Sequence, residues 1–262
     1  MNAAQPGAGR IVVAFDPQRP EAAPLEFAAP LARALAQGLY ALYVEDLDTL
    51  SLGAFGCVTT ICMATGEARL MSRESVERDF RRLVREARAA FASAAAGTGR
   101  AEFVAVRGRL AEELRRASGG AEAVLVGRPQ TWLAARSLAA GLLDTLLTLP
   151  VSVTGIIAGR RGCASRVLAV VRSERLAAAG GVERLVGAPL PQAMLRSLGA
   201  TRSMIRMGGA GLRSEALLRE LRRGDVGTIL LERGATADDR ALIRELLEAW
   251  PGSVLTLQGD EC

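Results

Sequence analysis

The side chains able to do chemistry in this 262-residue chain are few in kind. There is no His, and all 33 basic residues are Arg, because the sequence contains no Lys. Ser-His-Asp and Cys-His nucleophilic catalysis are therefore impossible within the chain. So are imidazole-based zinc sites, Schiff-base chemistry and a phosphate-binding loop ending in Lys. Arg remains, and Arg pairs well with phosphate. The four Cys residues, Cys57, Cys62, Cys163 and Cys262, form no C-x-x-C pair, and no metal site is expected from them. Cys57 and Cys62 are close enough in sequence to meet across a hairpin, and buried or loop thiols are the plainer reading. No catalytic constellation emerges.

The formal charge of +5 and a pI near 9.6 raise the question of nucleic acid. The Arg residues, however, alternate with Glu along predicted helices, and aromatic residues make up only 4% of the chain, too few for stacking platforms. No nucleic-acid partner is expected. At 50% hydrophobic and 23% charged residues, the composition is globular with ample core material. Apolar stretches are broken well short of the roughly twenty residues a membrane span needs. Met1 to Arg10 lacks the layout of a signal peptide. A soluble, cytoplasmic protein is the expectation.

The elements that must position any site alternate in kind. Ile11 to Phe15 reads as a buried strand stopped by Asp16-Pro17, and Pro24 opens a helix to Gln37 that Pro30 should kink or delay. Leu39 to Val44 is the second strand. Leu47 to Met71 has no clean period, three glycines and almost no charge, yet carries Leu50, Leu52, Phe55, Val58, Ile61 and Met63. Such a segment should pack over the cleft, the second half or another subunit. Ser72 caps a long helix, with Glu74–Arg78 and Glu77–Arg81 as favourable pairs. Strands follow at 102–106, 123–126 and 151–157, separated by helices at 110–117 and 132–147. Unalternated apolar runs argue for a parallel sheet covered on both faces. From Arg166 onward a shorter copy of the pattern begins, with strands expected at 166–171, 203–207, 228–231 and 253–257.

Residues 10–157 resemble the universal stress protein family. The likeness rests on an ordered series: Ile11 to Asp16, Leu42-Tyr-Val-Glu-Asp46, the long helix with Phe103-Val-Ala-Val-Arg-Gly108, Leu110-Ala-Glu-Glu-Leu114 and Ala123-Val-Leu-Val-Gly127. The second half looks like a degenerate copy. The resemblance implies α/β architecture in two doubly wound parallel-sheet units, the second smaller. The expected division is 1–9 as a disordered N-terminus, 10–157 as the first unit, 158–165 as a linker and 166–262 as the degenerate unit. Final strands pair across a dimer in that family, so 151–157 should lie beside 253–257 in an internal pseudo-dimer.

Nucleotide-binding members carry a glycine-rich loop after the fourth strand, whose backbone N–H groups cradle phosphates. The resemblance places Asp16 at the adenine side, Val44 as a backbone contact, and Gly127, Arg128 and Gly141 in the loop. The loop here departs from the pattern: Pro129-Gln130-Thr131 replace the glycine turn and Leu142 replaces the hydroxyl residue after Gly141. Asp16 with Pro17 also reads as a simple turn. Arg128 and Arg136 could offer a phosphate their cationic groups. The function expected is thus a non-catalytic stress or regulatory module acting through protein contacts, without a cofactor and with homodimerisation possible. The alternative is a protein that binds ATP weakly in the cleft at the strand ends.

Overall fold

Runs of β-branched and small apolar residues build the centre of the molecule, because such strands can bury both faces. The computed structural model describes residues 9–15, 22–61, 65–128, 141–158, 166–171, 189–197, 204–208, 214–223, 226–233 and 237–258. In chain order these form β1 (Arg10–Ala14), α1 (Ala23–Ala34), β2 (Gly38–Asp46), α2 (Leu47–Ala54), β3 (Thr59–Ile61), β4 (Ala68–Leu70), α3 (Arg73–Ala94), β5 (Ala101–Gly108), α4 (Leu110–Ala117) and β6 (Ala121–Gly127). Helix α5 (141–148) and β7 (Val153–Ile157) follow. Then come β8 (Arg166–Val171), α6 (Pro189–Ser197), β9 (Met204–Gly208), α7 (Ser214–Arg223), β10 (Val226–Arg233), α8 (Ala237–Ala249) and β11 (Ser253–Gln258).

Nine strands make one sheet in the order β5-β2-β1-β6-β7-β11-β10-β8-β9. Every neighbouring pair is parallel except β7 and β11, which run antiparallel with Val254 opposite Ile156 and Leu257 opposite Val153. The expected pairing of 151–157 with 253–257 is thus observed. Successive residues of β1 point to opposite faces. Ile11, Val13 and Phe15 join the core beneath α1, α3 and α6, whereas Val12 and Ala14 join that beneath α4 and α5. Helices α7 and α8 cover the latter face over β8 and β10, where Leu143 of α5 meets them.

The same irregularity marks both parallel halves of the sheet. Register between β1 and β6 slips at Glu122, so Arg10 lies beside Ala121 but Ile11 beside Ala123. Register between β8 and β10 slips at Gly227, so Arg166 lies beside Val226 but Val167 beside Thr228. Such bulges bend a strand and set where its end points. Aligned on the two bulges, Gly127 matches Glu232 and Arg128 matches Arg233. Their neighbours across the ladder then match as well, Ile157 with Leu257. A local two-fold axis therefore passes through the Gly155–Leu255 pair at the centre of β7–β11.

Helix α3 follows its sequence pattern closely. The Ser72 side chain accepts from the Ser75 backbone N–H at 3.1 Å, and Ser75 returns the bond to the Ser72 N–H at 3.1 Å. Val76, Phe80, Leu83, Ala87 and Phe91 are its buried stripe. The charge pairs differ from expectation: Glu77 turns to Arg73 at 3.3 Å and to Arg107 at 3.9 Å, and Arg82 pairs with Glu86 at 2.9 Å. The neighbouring strand β5 supplies Arg107, which a helix-only reading leaves out. Ser72→Ala should lower stability by about 1 kcal/mol, read as a fall of roughly 2–4 °C in thermal midpoint.

Two other local expectations are corrected. Pro30 lies within α1 and does not delay its start: the helix begins at Ala23 and stops at Ala34 rather than Gln37, and Ala36, at φ 52°, takes a left-handed position just beyond it. The stretch 47–71 is not one loop. The Asp46 side chain accepts from the Thr49 N–H at 3.0 Å and caps α2. Gly53 then lets α2 press onto α3, since a Cβ there would stand 3.2 Å from the Arg73 backbone. With only Leu50 and Gly53 buried, α2 is too short to display a period. Cys57 is exposed and precedes β3, and Cys62 lies outside the described residues.

Candidate functional site

In an open parallel sheet, ligands bind outside the carboxyl ends of the strands, where the chain reverses its direction of winding. Here that point lies between β1 and β6, which are adjacent in the sheet although far apart in sequence. Phe15, the residue after β1, donates its N–H to Leu42 at 3.0 Å, so the polar groups of Leu42 face β1. Val44, two residues on, turns its N–H and C=O to the same side, past the last ladder residue, Ala14. Its side chain is fully buried with Val12, Ala14 and Leu42. The strand order thus brings Val44, Gly127 and Arg128 to one end of the sheet. Asp16 and Arg136 lie outside the described residues, as do Pro129, Gln130 and Thr131.

Gly127 serves packing at this end. A Cβ on it would stand 3.3 Å from Cγ of Pro24, in the first turn of α1. Pro24 has no N–H to offer an anion, and Ala22 supplies no side-chain cap to that helix. Gly141 opens the described part of α5, with open space where a Cβ would stand. Its carbonyl accepts from the Thr145 hydroxyl at 2.8 Å, and that hydroxyl also accepts from Arg115 at 3.1 Å. Leu142, where a hydroxyl residue would face a phosphate, is buried in the core beneath α4 and α5.

Arg128 follows β6 at this end of the sheet, and its guanidinium is engaged elsewhere. Nη1 donates to the Gly252 carbonyl at 2.8 Å and Nη2 donates to the Leu247 carbonyl. Leu247 is in the last turn of α8, where carbonyls lack helical partners and the helix dipole is negative. A cation there is favourable. Burial lowers the Arg128 pKa without removing its charge at neutral pH.

Arg233 makes the reciprocal contact. Its Nη1 donates to the Leu149 carbonyl at 2.8 Å, just beyond α5, and its Nη2 reaches the Thr154 hydroxyl at 3.4 Å. Burial brings its pKa down to about 10. Each Arg therefore leaves the end of a matching strand and ties the helix that precedes the other half's final strand. Between them the Thr154 and Thr256 hydroxyls share a buried hydrogen bond at 2.6 Å, and Ser253 accepts from the Ala158 N–H at 2.9 Å. Sequence reasoning missed Arg233 and these hydroxyls. The available signal was an Arg one residue past the matched strand position in each half.

Among the described residues, no group of three or more His, Cys, Asp or Glu side chains could hold a metal ion, and no helix is long and apolar enough to cross a membrane. No family model matches the sequence, and no curated protein matches it. Solved structures do match. A universal stress protein from Archaeoglobus fulgidus aligns over 97% of both chains with a TM-score of 0.61 at 14% identity. A functionally unknown protein from Pseudomonas aeruginosa aligns over 97% of this chain and 94% of its own, with a TM-score of 0.58 at 12% identity. At such low identity the likeness is one of architecture: this chain has an α/β fold with a mostly parallel central sheet of the universal stress protein type.

Proposed function

We propose that the chain is a non-catalytic stress or regulatory module that acts through protein contacts in the cytoplasm. It would be a tandem protein, with residues 10–157 as a complete unit, 158–165 as a linker and 166–262 as a degenerate unit. The matching bulges at Glu122 and Gly227 support the tandem reading. One observation carries the functional reading. Arg128, the cation at the switch point, is spent on the carbonyls of Leu247 and Gly252. A phosphate drawing on Arg128 would have to displace two charge-assisted hydrogen bonds, one of them at a helix C-terminus. Burial of Leu142 removes a second phosphate contact from the same place.

The alternative, an adenine-nucleotide-binding protein, draws on Val44, whose backbone N–H and C=O face the crevice beyond β1. Native mass spectrometry of freshly purified protein separates the two. The expected spectrum shows only the mass of the polypeptide or its oligomers. A stoichiometric adenine nucleotide carried through purification would favour the alternative.

A further inference from the structure

The exposed large hydrophobic side chains among the described residues come from a single stretch of chain. They are Leu47 and Leu52 (46% exposed) on α2, Phe55 (69%) at its end, and Ile61 (63%) and Leu70 (64%) on the β3–β4 hairpin. The rest of the described surface covers its large apolar groups, so this concentration has a local cause. Large apolar side chains this exposed, and this concentrated in one stretch of chain, point to a contact site.

The hairpin adds a second observation. β3 and β4 pair only with each other, Thr59 opposite Leu70 and Ile61 opposite Ala68, in a sheet of two short strands. All six strand residues are exposed. A two-stranded hairpin is marginal in water and needs further strands or a covering layer. Both of its outer edges offer backbone groups to an additional strand. Alternation places Thr59, Ile61, Ala68 and Leu70 on one face, so an added strand would extend an apolar surface.

Charge selects the partner. The chain carries +5 overall, but this stretch contains only Asp48, Glu67 and Arg69. Glu67 pairs with Arg69 at 3.0 Å and Asp48 with Arg109 at 3.5 Å. Nothing here attracts a nucleic acid, an anionic membrane or an acidic peptide, and nothing opposes an identical surface. A two-fold axis automatically sets identical strand edges antiparallel. The five side chains expose about 100 Å² each, hence about 1,000 Å² across two copies when all are covered, which is the lower limit for a specific interface. The internal β7–β11 pairing also leaves those final strands unavailable for contact with another copy.

We propose that α2, Phe55 and the strands β3 and β4 form the surface through which two copies of this chain associate, with the β3–β4 strands of the two copies pairing edge to edge across a two-fold axis. This inference stands apart from the nucleotide question. Sedimentation velocity on the full chain, from about 1 to about 100 μM, tests it against a Phe55→Ser/Leu70→Thr variant. Both positions are exposed, so the fold should survive. The wild type should dimerise within this range, and the variant should require at least a tenfold higher concentration. A wild type that stays monomeric throughout overturns the proposal, as does a dimer that the variant forms equally well. Hydrogen exchange on the unmodified chain gives an independent readout. Protection at 59–61 and 68–70 should rise with concentration, and exchange there that ignores dimerisation would overturn the proposal even if the variant misfolded.

Discussion

Gly155→Val should destabilise the protein by about 3 kcal/mol, a fall in thermal midpoint of roughly 6–12 °C for a chain of this size. Gly155 lies on the local two-fold, directly opposite Leu255. A Cβ added there would stand 2.4 Å from Cδ2 of Leu255 and 2.9 Å from Cδ2 of Leu125, both fully buried. The φ angle is not in the left-handed region, so the cost is one of space. Two identical copies meeting on such an axis would present the same residue to itself. Here a residue without a side chain faces a large one, a complementarity that needs two different sequences in one chain. The pair therefore couples. Leu255→Ala alone should cost about 2–5 kcal/mol as a cavity. Gly155→Ala should then cost less in the Leu255→Ala background than in the wild type, the contact with Leu125 alone remaining. Additive costs in chemical denaturation would contradict this packing.

The second large effect is expected at Arg128. Arg128→Ala strips the carbonyls of Leu247, in the last turn of α8, and of Gly252, just before β11, of their donors, while relieving the burial of a guanidinium. The two terms oppose each other, and the net loss should be about 2 kcal/mol. Arg128→Lys should recover little, because an ammonium lacks the planar fork that reaches both carbonyls. Amide exchange gives the local test. The Ala158 and Gln258 N–H groups bond Ser253 Oγ and the Ser152 carbonyl across the same seam. They should exchange faster in Arg128→Ala than amides at the centre of β1 and β2. Unchanged stability with unchanged exchange would mean that the contact holds nothing together.

How far the sequence reveals this molecule depends on the range of each interaction. The strands were legible because Ile11 to Phe15, Ala123 to Val126 and Ile229 to Leu231 are continuous apolar runs. α3 was legible because Ser72 and a buried stripe at helical spacing both lie within the helix itself. Helix α2 and the hairpin were not, since eight and three residues are too few to show a period. A local clue was Asp46 followed three residues later by Thr49, the pair that caps α2. At the candidate site, the order of strands was enough to bring Val44 and Gly127 to one end of the sheet. The direction of the Arg128 side chain was not legible, because its partners lie 119 and 124 residues away. Gly155 is a similar case. An interior strand glycine signals a close approach, but only the antiparallel ladder identifies Leu255 as what approaches.

On the proposed reading, this end of the sheet serves as a seam within the chain and does not cradle phosphate. Isothermal titration of the full chain with ATP and magnesium, in the wild type and in Asp16→Ala, tests it most directly. Loss of two charge-assisted phosphate contacts, at roughly 1.5–3 kcal/mol each, weakens binding by about two to four orders of magnitude. No saturable heat with a dissociation constant below about 10 μM is expected, and no difference between the two proteins. A wild-type dissociation constant below about 10 μM that Asp16→Ala abolishes would contradict it.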